Sequence, residues 1–111
     1  MGGFVTGDIV VVPFPFSDLA GNKRRPALVL ADLDGDDIIL CQITSRSRND
    51  AYVVPLAIGD FTSGALPVAS VVRPNKLFTA DKSLILYVAA KLSRGKLQEI
   101  TQKLVEILTG K

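Results

Sequence analysis

The sequence of 111 residues contains no histidine, no tryptophan and a single cysteine, Cys41. Without histidine, the chain lacks the side chain that most often exchanges protons near neutral pH. One cysteine cannot form an internal disulfide, and with no histidine beside it a Cys/His zinc site is excluded. Cys41 lies inside the apolar run 38–41, which indicates a buried, unreactive thiol. We therefore expect no bound metal.

Long apolar runs and recognised ligand-binding motifs are absent too. The longest apolar run, 84–90, is much too short to span a bilayer, and the N-terminus does not resemble a signal peptide. There is no Walker loop, dinucleotide-binding glycine motif or nucleophile elbow, so no cofactor is expected. We predict a cytoplasmic protein without a membrane partner. With 48% hydrophobic residues, the chain suits a single globular domain over 1–111.

Short apolar runs recur between glycine, proline and aspartate residues, which is typical of strands in a small antiparallel sheet or barrel. The predicted strands are 9–12, 27–31, 38–44, 52–54, 70–72 and 84–88. Several are apolar throughout, which indicates cover on both faces, by a helix or by a second copy of the chain. A short helical turn is possible at 75–78. Four aspartates at 32, 34, 36 and 37 lack the spacing of a calcium loop and predict a polar hairpin.

The C-terminal segment changes to helical periodicity. Apolar residues between 97 and 108 fall on one stripe, which is typical of a helix that packs on the sheet. Ser93 is the predicted N-cap and Gly110 the predicted stop. The fold class that follows is mainly β, with short antiparallel strands and a C-terminal helix.

Cations and hydroxyls gather at the strand ends although the net charge is only +2. Arg25 precedes Pro26 and is biased toward extended backbone at the entrance of a strand, while Thr44 and Ser45 end the next strand. A guanidinium with two hydroxyls is suited to holding phosphate oxygens. The loop 16–24, which contains Ser17, could close over such a groove. The accessory cations are Lys23, Arg24, Arg46, Arg48, Arg73 and Lys76.

Several segments, in this order along the chain, resemble the MazF/PemK family of toxins. The segments are GDIV at 7–10, RPALVL at 25–30, ITS at 43–45, SVVRPNKLF at 70–78 and the helix at 97–108. The resemblance implies an SH3-like barrel of the CcdB/PemK type with helices, usually a homodimer. It also implies a metal-independent, sequence-selective endoribonuclease that cleaves single-stranded RNA and is neutralised by an acidic antitoxin.

By this resemblance Arg25 and Thr44 correspond to the catalytic residues. Arg25 would stabilise the charged phosphorus while the RNA 2′-hydroxyl attacks, and Thr44 would donate a hydrogen bond. The predicted substrate-binding residues are Ser17, Lys23, Arg24, Ser45, Arg46, Arg48, Arg73 and Lys76.

The chain departs from the family pattern in the loop before Arg25. Many members carry Gly-Ser-Glu-Gln there, whereas this chain has Gly21-Asn22-Lys23, so the family's RNA preference is not carried over. Ala69 stands where the family often has an acidic residue before the later serine. One alternative is a gyrase poison like CcdB, which the missing Trp-Gly-Ile ending counts against. Another is a degenerate RNA-binding module that has kept the fold without activity.

Overall fold

The computed structural model describes residues 3–14, 23–45 and 51–110. These residues form seven strands and one α-helix, with short 3₁₀ turns at Ile58–Asp60 and Lys82–Leu84. In chain order the elements are β1 (Asp8–Phe14), β2 (Lys23–Asp32), β3 (Asp37–Thr44), β4 (Val54–Leu56), β5 (Phe61–Gly64), β6 (Ser70–Asp81), β7 (Tyr87–Leu92) and α1 (Arg94–Thr109).

The strands form one antiparallel sheet in the order β4-β6-β3-β2-β1-β7-β5. Val54 of one edge strand and Phe61 of the other pack into the same cluster as Ile100 of α1. The sheet is therefore curled, so that its two edges approach one another beneath the helix. The predicted fold, a mainly β SH3-like barrel with a C-terminal helix, is confirmed.

Residues of the central strands alternate between two apolar clusters, one on each face of the sheet. The inner face carries Ile9, Leu28 and Cys41 and packs against α1. The outer face carries Val10, Ala27 and Leu40 among others. Partly buried side chains of the same chain cover the outer face, and they are Phe4, Phe78, Leu84 and Ile85. The uniformly apolar strands thus find cover on both faces within one copy of the chain.

The helix begins and ends where the sequence predicts. The Ser93 side chain accepts a hydrogen bond from the Lys96 amide at 3.2 Å, which is the geometry of an N-cap. Gly110 ends the helix in the left-handed conformation, with φ of 74°. No helix in the described part of the chain combines the length and apolar character that a membrane span requires.

The second half of the sheet differs from the prediction in four places. The strand predicted at 52–54 lies at Val54–Leu56. The helical turn expected at 75–78 is wrong, since these residues belong to the long strand β6. Strand β5 has no predicted counterpart. The strand predicted at 84–88 begins later, at Tyr87, because the Asp81 carboxylate accepts from the Ser83 amide at 2.9 Å and starts a 3₁₀ turn.

A bulge in β6 explains why 75–78 looked irregular in sequence. Cys41 pairs with Leu77 and the next residue, Gln42, pairs with Arg73, so three residues of β6 lie opposite no residue of β3. Pro74 falls in this stretch, and proline cannot donate to a sheet ladder. The bulge divides β6 into a first half that contains Arg73 and a second half that contains Phe78.

The aspartate-rich turn is the predicted polar hairpin between β2 and β3. Gly35 adopts a positive φ of 83° in it. Lys82 forms an ion pair with Asp32 at 2.8 Å and so ties the hairpin to the end of β6.

Candidate functional site

A groove of about 510 Å³ opens where β2 and β3 end, on the inner face of the sheet. Its floor and rim are two successive rows of side chains across neighbouring strands, and residues 65–68 border it. We call it the Arg24 groove.

The floor of the Arg24 groove is largely apolar. Val11 of β1 pairs with Pro26 on one side and with Tyr87 of β7 on the other. Ile43 of β3 also lines the groove. Floor residues therefore come from four adjacent strands at one level of the sheet.

The rim lies one pleat further out and is polar. Arg24 and Ser45 stand two residues beyond Pro26 and Ile43, so the alternation of strands keeps them on the same face as the floor. Ser70 is the third rim residue. It is buried, and its hydroxyl donates to the Val68 carbonyl at 2.9 Å. The rim thus offers one guanidinium and one exposed hydroxyl to a ligand in the groove.

Arg25 and Thr44, the two predicted catalytic residues, fall on the outer face by strand alternation, although Arg25 also lines the Arg24 groove. Arg25 pairs with Val12, whose side chain belongs to the outer cluster. Paired residues of β2 and β3 run as far as Ala27 and Gln42. Continued by two residues along each strand, the same register sets Arg25 across from Thr44 on the outer face. Both predicted residues therefore stand at the ends of adjacent strands, with Thr44 buried and Arg25 half-buried.

Arg73 belongs to the same outer-face group. It pairs with Gln42 in the sheet, and its Nη1 donates to the Gln42 Oε1 at 3.3 Å. Arg73 is only 8% exposed. A buried guanidinium is costly unless its donors are used, so the Gln42 amide stabilises it there. We call Arg25, Thr44, Gln42 and Arg73 the Arg25 cluster.

The other predicted binding residues are more scattered. Lys23 is exposed at the first position of β2 and pairs with Phe14. Lys76 is exposed in the β6 bulge and does not line the Arg24 groove. Ser17, Arg46 and Arg48 lie outside the described residues, as does most of the loop 16–24.

Two residues of the site were missed from the sequence. Gln42 sits in a strand that was predicted, but its contact with Arg73 depends on how β3 pairs with β6. Tyr87 was predicted to lie in a strand but not in the site. The signal that could have identified it is the scarcity of large aromatic rings, since the chain has two tyrosines and no tryptophan.

The polar groups of the site are donors far more than acceptors. Within residues 3–14, 23–45 and 51–110, no three carboxylate or thiol side chains come together as metal ligands. Arginines and hydroxyls suit an anionic ligand such as a chain of phosphates.

A family model described as "PemK-like, MazF-like toxin of type II toxin-antitoxin system" matches residues 6–108. The chain belongs to this family. No curated protein sequence matches it.

Solved structures with the same fold include toxins of this family. MazF from Deinococcus radiodurans is 26% identical, with a TM-score of 0.74 over 98% of this chain and 99% of that one. MazE–MazF of the same organism, in another crystal form, gives 26% identity and a TM-score of 0.77, covering 97% of this chain and 98% of that one. An endoribonuclease in complex with its cognate antitoxin, from a mycobacterial species, has a TM-score of 0.76 at 14% identity, over 96% and 95% of the two chains.

Proposed function

We propose that this toxin-family chain is a sequence-selective endoribonuclease that cleaves single-stranded RNA without a metal ion. The observation that carries the proposal is the Arg25 cluster, in which the two predicted catalytic residues share one face at the ends of adjacent strands. Similar structures that are described as endoribonucleases support the same reaction class.

RNA carries its own nucleophile. The 2′-oxygen loses its proton and bonds to the neighbouring phosphorus, while the bond from phosphorus to the 5′-oxygen breaks and that oxygen gains a proton. The products are a 2′,3′-cyclic phosphate and a 5′-hydroxyl. The protein must hold the strand in line and stabilise the extra charge on the phosphate oxygens.

The Arg25 cluster is suited to that task. The Arg25 guanidinium can bind two phosphate oxygens in a fork, and a guanidinium keeps its charge at any working pH. The Thr44 hydroxyl donates a further hydrogen bond. Arg73, held by Gln42, adds a second fixed positive charge on the same face. Such preorganised donors supply the charge stabilisation that a metal ion supplies in other nucleases.

The remaining predicted residues serve to hold the strand. Arg24, Ser45 and Lys23 stand at the ends of the same strands, and Lys76 lies in the bulge next to the Arg73 half of β6. Ser17, Arg46 and Arg48 remain predicted contacts in neighbouring parts of the sequence. Recognition of unpaired bases along this path would give the sequence selectivity.

Two partners complete the proposal. One is an acidic antitoxin segment, which would be attracted by the cations around Arg24 and would cover the site as it folds onto the toxin. MazF from Deinococcus radiodurans has been solved with MazE, and this supports the proposal of such a partner. The other is a second copy of the chain in a symmetric homodimer. We place the complex in the cytoplasm, where messenger RNA is accessible.

The test is cleavage of a defined single-stranded RNA by purified protein in excess chelator. We expect cleavage to persist and the products to carry a cyclic phosphate and a 5′-hydroxyl. Complete loss of cleavage in chelator with recovery in magnesium would contradict the metal-independent reaction. A monomer mass by light scattering at micromolar concentration would contradict the homodimer.

A further inference from the structure

Tyr87 lies on the floor of the Arg24 groove with half of its side chain open to solvent. It pairs with Val11, which pairs in turn with Pro26, so the ring belongs to the inner-face row beneath the Arg24 rim. Its exposed fraction is 53%. Val68 and Val88, which are also exposed, line the same groove beside it. An exposed aromatic ring at an apolar floor is accessible to a flat ligand.

The distance from this ring to the arginines fits a nucleic-acid strand. Arg24 pairs with Pro13 of β1, and β1 lies between β2 and β7. Arg24 is therefore two strand spacings from Tyr87 across the sheet and two residues further along the strands. Two strand spacings amount to about 10 Å. An extended single strand can therefore put a phosphate against Arg24 while a nearby base reaches Tyr87.

We infer that Tyr87 is the stacking platform for one unpaired base of the RNA substrate. The inference rests on the proposed ribonuclease function and adds to it a base-binding subsite. Proteins that bind single strands combine a positively charged edge with aromatic rings on which bases stack. The Arg24 rim provides the charge, and Tyr87 provides the ring. A purely apolar partner would leave the guanidinium and the Ser45 hydroxyl without ligands.

Tyrosine fluorescence can report on this ring alone. The chain has two tyrosines and no tryptophan. The second tyrosine, Tyr52, lines a separate pocket with Lys103 and Glu106 near the end of α1. In Tyr52→Phe all tyrosine emission comes from Tyr87, and in Tyr87→Phe all of it comes from Tyr52. The two variants absorb alike, so each corrects the other for light absorbed by the RNA.

The experiment titrates both variants with a 2′-deoxy oligonucleotide, which lacks the nucleophile and cannot be cut. We expect emission to fall with saturation in Tyr52→Phe and to stay unchanged in Tyr87→Phe after correction. Tyr87→Ala should weaken binding about 5- to 150-fold, the range measured for loss of one stacked base. Tyr87→Phe should bind with wild-type affinity because it keeps the ring, whereas Tyr87→Leu should not. An abasic nucleotide at one position of the strand should remove the quenching.

Several results would overturn the inference. They are unchanged Tyr87 emission when the strand is bound, wild-type affinity in Tyr87→Ala, and full affinity in Tyr87→Leu. A dimer that dissociates in Tyr87→Ala would instead assign the ring to an interface between copies and would also overturn it.

Failure of the ribonuclease proposal is distinguishable from failure of the base-binding subsite. If the wild-type protein cuts RNA and Tyr87→Ala has the same KM, only the subsite is wrong. If the wild-type protein cuts no RNA yet Tyr87 emission is quenched by the oligonucleotide, the ribonuclease proposal fails and the binding subsite stands. If the protein neither cuts nor binds, both are overturned.

Discussion

Arg24 and Arg25 are joined by one peptide bond and both line the Arg24 groove, yet they differ in exposure and in the face of the sheet that strand alternation gives them. Arg24 is exposed on the inner face, above a groove with an apolar floor. Arg25 also lines this groove, but it is half-buried and follows the alternation of the outer face, as Thr44 and the buried pair of Arg73 and Gln42 do. The difference comes from strand alternation, because successive side chains point to opposite sides of a sheet.

The comparison bears on what each residue can do. A guanidinium held among buried, hydrogen-bonded neighbours is preorganised, and preorganised charge acts on the transition state. A guanidinium at an exposed rim keeps its side-chain freedom and acts on binding through charge. We therefore expect substitutions on the outer face to lower kcat and substitutions on the inner face to raise KM or Kd.

The largest effect is expected from Arg25→Ala. Loss of one preorganised charge-stabilising donor costs on the order of a hundredfold or more in kcat. Arg25→Lys should fail to restore activity, because an ammonium cannot make the forked contact. Single-turnover cleavage of a defined RNA measures the effect, with Arg94→Ala on the exposed start of α1 as the matched control. An Arg25→Ala enzyme that retains wild-type kcat would remove Arg25 from the catalytic role.

A smaller loss is expected from Thr44→Val, which replaces the hydroxyl with a methyl group of similar size. A hydrogen bond to a charged group contributes about 1.5–3 kcal/mol, so we expect a fall in kcat of about tenfold or more. Thr44→Ser should recover most of it. Thr44 is only 5% exposed, so thermal unfolding of each variant must be measured beside the kinetics. Full activity in Thr44→Val would exclude the Thr44 hydroxyl from catalysis and leave the arginines as the only catalytic groups proposed on the outer face.

The sequence predicted the parts of the fold that depend on local patterns. The first three strands, the polar hairpin, the Ser93 cap and the Gly110 stop are encoded by nearby residues, since each follows from apolar runs, turn residues or capping chemistry. The grouping of Arg25 with Thr44 and Ser45 was predicted from their places at strand ends, and β2 and β3 are neighbouring antiparallel strands. Their catalytic roles remain a prediction.

The parts that were missed depend on register across the sheet. Gln42 meets Arg73 because three residues of β6 bulge out, and nothing local to β3 encodes that offset. The short strand β5 contains Gly64 and pairs with β7 at an edge, where its sequence shows no apolar alternation. The inner-face position of Tyr87 likewise required knowing which residue of β1 it pairs with.

Cys41 tests whether the core on the inner face of the sheet is closed to water. Burial raises the pKa of its thiol from 9.0 to about 12. Between pH 9 and pH 12 the unfolded chain releases this proton and the folded chain keeps it, so the folded state loses stability as pH rises. The loss should be about 1.4 kcal/mol for each pH unit above 9.

The measurement is the free energy of unfolding of wild type and Cys41→Ala as a function of pH. All other ionisable groups are the same in both proteins, so the difference between the two curves isolates the thiol. We expect the difference to shrink above pH 9. A thiol that reacts rapidly with an alkylating reagent in the folded protein at pH 8 would contradict a dry inner face.

The smallest effect is expected from Arg24→Ala, and it decides the comparison. An exposed rim arginine contributes mainly by neutralising phosphate, so its loss should weaken binding roughly fivefold and leave single-turnover kcat unchanged. The slope of log Kd against log salt should fall by about 0.7, the value for one phosphate contact on a single strand. Arg24→Lys should keep the wild-type slope, because the slope depends on charge and not on the shape of the guanidinium. If Arg24→Ala loses turnover while Arg25→Ala remains active, the two faces exchange roles, and the reaction takes place in the Arg24 groove.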